Sequence, residues 1–128
     1  MGRIVIVEDE ADIVSIYRMT LERAGHVIVA VVSEAAGLAG DLTTTFAGAD
    51  VAIVDERLGE VSGTSYLPAM RAANPALRIL VATADPEALQ RARAMGADEI
   101  RKKPFPLRQL REDVERLLAI HDLEDTGS

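Results

Sequence analysis

Side chains that could perform chemistry lie at the ends of four segments of the chain that are predicted to be strands. These residues are Glu8 and Asp9 after the first segment, Asp55 at the end of a later one, then Thr83 and Lys103. Ligands of parallel α/β sheets bind at the carboxyl ends of the strands. We therefore expect these five side chains to converge on one site.

The chemistry of the five residues points to a phosphoryl group. Three carboxylates in one crevice repel each other, so they either raise a pKa or hold a cation. Because Glu8, Asp9 and Asp55 offer only oxygen ligands, the preferred cation is Mg²⁺. A divalent ion, a lysine ammonium and a hydroxyl together offset the charge of a transferring phosphoryl group. Asp55 is then placed to attack phosphorus in line.

Each of these residues has an ordinary explanation when it is taken alone. Asp55 could cap a loop, and the acidic pair could complement the N-terminus of the first helix. Thr83 alone fits a turn, and Lys103 alone fits a solvated surface. The conjunction at four strand ends, in order, favours a functional site.

The hydrophobic pattern predicts the elements that position this site. Strands are predicted over 3–7, 27–32, 51–55, 78–83 and 99–102, and helices over 12–24, 35–46, 64–73, 86–95 and 107–118. Gly25 and Gly96 are typical helix C-terminal residues, and Asp85 is a typical N-cap. The last strand is polar, which is acceptable only at a sheet edge. Strands that alternate with helices predict an α/β fold with a doubly wound parallel sheet.

Length and composition narrow the functional classes. The 128 residues, 48% of them hydrophobic, suit one domain, which we place at residues 1–121, with a polar tail or linker stub over 122–128. The chain has no cysteine and no apolar run long enough for a membrane span, so we expect a cytoplasmic protein. The net charge of −7 argues against direct nucleic-acid binding.

Basic residues are frequent near the predicted last two helices and last strand. They are Arg91, Arg93, Arg101, Lys102, Arg108 and Arg111. Surface charges of this kind usually contribute little to stability, so we interpret most of them as a solvated face.

Taken together, the motifs resemble the receiver domain of two-component response regulators, over residues 3 to about 121. The matching residues are Glu8-Asp9, Asp55, Gly63, Thr83-Ala84 and Lys103-Pro104-Phe105. The resemblance implies a flavodoxin-like sheet of order 2-1-3-4-5 with five surrounding helices. It also implies that a sensor histidine kinase or phosphotransfer protein supplies a phosphoryl group to Asp55.

The resemblance assigns further roles. Mg²⁺ would be bound by Asp9, Asp55 and the main-chain carbonyl of Arg57, with Glu8 acting partly through water. Lys103 would hold a phosphoryl oxygen and precede a cis proline bond. Thr83 would carry the switch to the face of the last two helices and last strand, where a downstream effector binds. A phosphorylation-dependent homodimer through the same face is a further hypothesis.

Several positions depart from the family pattern. Ile100 stands where similar domains usually have an aromatic switch residue, and Gly59 stands where a proline is common. Arg57 and Asp85 occupy positions that adjust the lifetime of the phosphoryl group in similar domains.

Three alternative functions remain open from the sequence. Ile100 would suit a pseudo-receiver that acts as a constitutive interaction module, although the intact acidic, Thr and Lys residues argue against it. A Mg²⁺-dependent phosphatase would need a second carboxylate where Arg57 stands. A flavodoxin-type carrier would place carboxylates against a flavin phosphate. The resemblance favours a signalling domain that transfers a phosphoryl group to itself over an enzyme with turnover.

Overall fold

The computed structural model describes residues 1–127, with side chains described for residues 1–120. The predicted domain boundary at residue 121 and the tail 122–128 lie outside the part with described side chains, so this division stays a prediction. Within the described residues, no helix has the length and hydropathy that a membrane crossing requires.

Five parallel strands form the central sheet. The strands of the chain are β1 Arg3–Val7, β2 Val27–Val32, β3 Val51–Asp55, β4 Arg57–Leu58, β5 Val61–Ser62, β6 Arg78–Thr83 and β7 Glu99–Lys102. The sheet order is β2-β1-β3-β6-β7, and β4 pairs with β5 in a separate antiparallel hairpin. Counted among the sheet strands alone, this is the expected order 2-1-3-4-5. The polar strand β7 lies at an edge, as predicted.

Helices cover both faces of the sheet. They are α1 Ala11–Arg23, α2 Thr43–Phe46, α3 Leu67–Ala73, α4 Pro86–Ala94 and α5 Leu107–Gly127, with 3₁₀ turns over Ala35–Leu38 and Gly63–Tyr66. Gly25 and Gly96 follow α1 and α4 with φ of 92° and 103°, a conformation that glycine adopts at low cost. The Asp85 carboxylate accepts a 2.9 Å hydrogen bond from Glu87 N and so caps α4, as predicted.

The continuous helix predicted over 35–46 is wrong. The chain forms a 3₁₀ turn over Ala35–Leu38, and only Thr43–Phe46 is α-helical. Gly40 interrupts the segment because its φ is +77°, in the left-handed region. Gly37 lies so close to β2 that a Cβ there would be 2.8 Å from Val32 Cγ1. The apolar stripe therefore correctly indicated contact with the core, but not a single helix.

The core lies on both faces of the sheet because neighbouring strand residues point to opposite sides. Val5, Val7 and Val54 pack on the face covered by α2, α3 and α4. Ile4 and Ile6 pack on the opposite face with α1 and α5. Burial on both faces fixes the sheet, and with it the positions of the residues at the strand ends.

An ion-pair network joins α5 to the edge strand β7. The Asp113 side chain is fully buried and accepts hydrogen bonds from Arg101 Nε at 2.6 Å, Arg116 Nη2 at 2.8 Å and Gln109 Nε2 at 2.9 Å. Burial opposes ionisation of Asp113, but these donors outweigh it and hold the pKa of its carboxyl below the usual value. Arg101 and Arg116 are therefore structural and not simply part of a solvated face.

Asp113→Asn is expected to destabilise the protein by about 2 kcal/mol, because it removes the charge that compensates two arginines. Urea unfolding at pH 7 measures the change. Glu112→Gln is the matched control on the same helix: its carboxylate is exposed and lies 3.7 Å from Arg108 Nε. We expect a change of at most about 0.5 kcal/mol for the control. Equal effects of the two substitutions would contradict a structural role for the network.

Candidate functional site

The carboxyl ends of four neighbouring strands carry the residues that the sequence singled out. Glu8 and Asp9 directly follow β1, and Asp55 is the last residue of the adjacent strand β3. Thr83 ends β6, which pairs with β3, and Lys103 follows β7. Since the strands are parallel, all of these residues lie at the same end of the sheet, the one formed by the carboxyl ends of its strands.

Three carboxylates converge there. One oxygen from each of Glu8, Asp9 and Asp55 lies within 4.8 Å of the others. The Glu8 and Asp55 side chains are 1% and 13% exposed, whereas Asp9 is exposed. The donor set contains no nitrogen or sulfur ligand, and this fits a hard divalent cation such as Mg²⁺.

Lys103 reaches the same cluster from the far end of the chain. Its Nζ donates a hydrogen bond to Glu8 Oε1 at 2.9 Å and lies 3.6 Å from Asp55 Oδ1. Burial opposes its charge, but the hydrogen bond to Glu8 and the negative charge of Asp55 outweigh it and raise the pKa of Lys103. The ammonium is thus held charged beside Asp55. The Lys103-Pro104 peptide bond is cis, as the resemblance implied.

Neighbouring groups shift the pKa values of the two aspartates in opposite directions. Burial, followed by the negative charge of Glu8, raises the pKa of Asp55 to about 7. Asp9 instead accepts a 2.9 Å hydrogen bond from Gly59 N, which lowers its pKa. Without a bound cation, Asp55 therefore titrates near neutral pH, while Asp9 stays ionised.

Thr83 is buried beside a cavity that opens at the site. The cavity has a volume of about 420 Å³ and is lined by Asp55, Arg57, Thr83, Ala84, Asp85 and Lys103. Thr83 Oγ1 accepts a 3.2 Å hydrogen bond from Asp85 N. The structure thus brings together every side chain that the sequence placed at the site. It also places Asp85, the N-cap of α4, beside the cavity.

Sequence analysis missed Glu56, which directly follows Asp55. This carboxylate is buried and accepts hydrogen bonds from the hydroxyls of Ser62 and Thr64. Its main-chain oxygen accepts a 2.6 Å hydrogen bond from Gly63 N. The available signal was an acidic residue directly after a buried strand, with hydroxyl residues six and eight positions later.

Asp55→Asn is expected to stabilise the metal-free protein by about 2 kcal/mol at pH 8. A carboxyl whose pKa is raised on folding costs stability as pH rises from its unfolded value, here 3.8, to its folded value of about 7. The advantage of Asn is therefore full above pH 7 and shrinks as pH falls towards 4.

Urea unfolding in EDTA at pH 8 and at pH 5 measures this dependence. Asp12→Asn, at an exposed position in α1, is the matched control and should change stability by at most about 0.5 kcal/mol at both pH values. The raised pKa is contradicted if Asp55→Asn gives the same stability difference at pH 5 as at pH 8.

The fold and the acidic site define a flavodoxin-like domain with carboxylates and a lysine at one edge of its sheet. The sequence model of the response regulator receiver domain matches residues 4–115. The chain therefore belongs to the response regulator receiver domain family, which places it in two-component signalling. A comparison with curated proteins gave no match.

Solved structures agree with this family. A CheY-like response regulator receiver domain protein from Methanospirillum hungatei JF-1 matches with a TM-score of 0.84 and 25% identity, over 97% of this chain and 98% of that one. A receiver domain protein from Clostridium thermocellum matches with a TM-score of 0.83 and 22% identity, over 96% and 98%.

A longer protein contains the same fold. NtrX from Brucella abortus matches with a TM-score of 0.83 and 22% identity, over 98% of this chain but 28% of the NtrX chain. The same fold therefore forms one part of that longer chain.

Proposed function

We propose that this receiver domain accepts a phosphoryl group on Asp55 from a sensor histidine kinase or a phosphotransfer protein. The observation that carries the proposal is the position of Lys103 Nζ, 2.9 Å from Glu8 and 3.6 Å from Asp55, beside three converging carboxylates. A lysine held charged next to a partly buried aspartate can offset the charge of an incoming phosphoryl group.

Different residues of the chain have different roles in the phosphoryl transfer. An Asp55 carboxylate oxygen attacks phosphorus in line, and the bond from phosphorus to the donor nitrogen breaks. Lys103 holds one phosphoryl oxygen, and the Thr83 hydroxyl donates to another. Asp9, Asp55 and the Arg57 carbonyl would bind Mg²⁺, with Glu8 partly through water. When bound, the cation offsets the negative charge of the carboxylates and the phosphoryl oxygens.

The output of the switch would start at Thr83. Its hydroxyl accepts from Asp85 N at the start of α4, so a shift towards Asp55 would disturb that helix end. Ile100 on β7 packs against the hydrophobic core on the face of the sheet that α2, α3 and α4 cover. We propose that the face formed by α4, β7 and α5 binds a downstream effector in the cytoplasm, and that it is also the face of a phosphorylation-dependent homodimer.

Intact mass after incubation with acetyl phosphate tests the proposal. The wild type should gain the mass of one phosphoryl group with Mg²⁺ and none with EDTA, whereas Asp55→Asn should gain none. A histidine kinase replaces acetyl phosphate as the donor if the wild type stays unmodified. Failure with both donors, or equal modification of Asp55→Asn, would overturn the proposal.

A further inference from the structure

Glu56 is a buried charged residue that the proposed chemistry does not use. The residue is 6% exposed, and within the described residues no lysine or arginine forms an ion pair with it. The hydroxyls of Ser62 and Thr64 donate to its carboxylate instead. Burial of a carboxylate without a cation is costly, so an apolar residue would be the cheaper choice if this position served packing alone.

The contacts of Glu56 close the loop that follows Asp55. Its carboxylate binds the two hydroxyls, and its main-chain oxygen accepts from Gly63 N at 2.6 Å. Between these contacts lies the β4–β5 hairpin, in which Arg57 pairs with Ser62. One side chain thus holds both ends of the hairpin together at its base.

The hairpin in turn contacts the carboxylate cluster. At its tip, Gly59 N donates a 2.9 Å hydrogen bond to Asp9 Oδ2. At its start, Arg57 carries the main-chain carbonyl proposed as a Mg²⁺ ligand. The placement of the hairpin therefore bears on two of the proposed ligands, one by a direct hydrogen bond and one through the backbone.

We infer that Glu56 is a positioning residue for the magnesium site: by anchoring the hairpin through Ser62 and Thr64, it sets the affinity for Mg²⁺. This inference rests on the proposed function of the site. Groups that orient metal ligands typically change metal affinity by ten- to a hundredfold when they are removed. Asp55 itself is held by β3, so the phosphorylation rate at saturating Mg²⁺ should depend much less on Glu56.

Two substitutions of Glu56 separate anchoring from charge. Glu56→Leu keeps an apolar side chain of similar size in the buried position but accepts no hydrogen bond. Glu56→Gln keeps an acceptor and adds an amide donor, and the Ser62 and Thr64 hydroxyls can rotate to suit it. Thr64→Val removes one hydroxyl at nearly constant volume. Glu60→Gln, an exposed carboxylate in the turn of the same hairpin, is the matched control.

Calorimetric titration with MgCl₂ gives the first readout. We expect Glu56→Leu to weaken Mg²⁺ binding by about tenfold or more. Thr64→Val should weaken it by about threefold, and Glu56→Gln and Glu60→Gln should stay within about twofold of the wild type. The phosphorylation rate of Glu56→Leu at saturating Mg²⁺ should remain within about threefold of the wild type. In the metal-free protein, the Gly59 and Gly63 amides should exchange hydrogen faster in Glu56→Leu.

The outcomes distinguish this inference from the proposed function. If the wild type binds Mg²⁺ and Glu56→Leu binds it equally well, Glu56 is not a positioning residue although the proposed function stands. If the wild type neither binds Mg²⁺ nor accepts a phosphoryl group, the proposed function is wrong, and so is the inference that rests on it. If Glu56→Leu does not fold, Thr64→Val decides: wild-type affinity and wild-type amide exchange in that variant overturn the inference.

Discussion

Lys103→Met is expected to lower the rate of Asp55 phosphorylation by at least about a hundredfold, since it removes the only cation seen to contact the carboxylate cluster in the described structure. Methionine keeps an unbranched side chain of comparable length, so the packing of the aliphatic part is largely retained. The loss should appear in the rate measured with acetyl phosphate at saturating Mg²⁺. A weakened magnesium affinity alone would be rescued by more Mg²⁺, whereas the loss of a phosphoryl contact would not.

The same substitution should also destabilise the metal-free protein, by about 3 kcal/mol at pH 8. Lys103 lowers the pKa of Asp55, so its removal should raise that pKa further above the unfolded value of 3.8. An acid with a raised folded pKa costs stability as pH rises, so the defect should be larger at pH 8 than at pH 5. Urea unfolding in EDTA at the two pH values measures this difference.

Lys102→Met provides the control for both measurements. Lys102 is the neighbouring lysine, but its side chain is exposed at the end of β7. We expect a phosphorylation rate within about twofold of the wild type and a stability change of at most about 0.5 kcal/mol. A similar loss in both variants would mean that general surface charge matters, and not the contacts of Lys103 with Glu8 and Asp55.

The convergence of the site could be predicted from the sequence because it depends on topology. Buried strands show a strong hydrophobic pattern in the sequence, and parallel strands place their carboxyl ends at one end of the sheet. The convergence therefore follows from two facts alone: Asp55 ends one strand, and Glu8 follows another. Lys103 and Glu8 are 95 positions apart in the chain, and the same rule explains why their side chains are in contact.

The parts that sequence analysis missed depend on contacts with weak periodic signals. Strands of two residues, such as β4 and β5, are too short to show alternation, so the hydrophobic pattern does not predict the hairpin after Asp55. Burial of the Glu56 carboxylate likewise depends on where Ser62 and Thr64 fold back, which the hydrophobic pattern does not show. The sequence does not distinguish Arg101 from the basic residues of a solvated face, because its partner, Asp113, lies on a different element.

The prediction of one continuous helix over 35–46 was wrong for a related reason. An apolar stripe records which residues contact the core, and Leu38, Leu42 and Phe46 are indeed buried. The stripe says nothing about the backbone between them, where Gly37 and Gly40 allow a close approach and a left-handed turn. In the sequence, Gly40 and the Thr43-Thr44-Thr45 run already disfavour the far end of a continuous helix.

Gly63→Ala is expected to destabilise the protein by at least about 3 kcal/mol. A Cβ at position 63 would lie 2.1 Å from the main-chain oxygen of Asp55 and 3.1 Å from Val54 Cγ1. The first contact is with backbone at the end of a central strand, so no side-chain rotation can relieve it. Either the loop after Asp55 must shift or β3 must, and both movements displace the proposed phosphoacceptor.

We therefore expect Gly63→Ala to lose Mg²⁺ binding together with stability, as measured by calorimetry and by urea unfolding. Gly48→Ala is the matched control, because a Cβ there would meet only the Arg3 guanidinium at 3.8 Å, an ordinary contact. Its stability should stay within about 0.5 kcal/mol of the wild type. A stable Gly63→Ala variant with normal Mg²⁺ binding would show that the loop can move without disturbing Asp55. That result would contradict both the tight packing at Gly63 and the dependence of the proposed metal site on this hairpin.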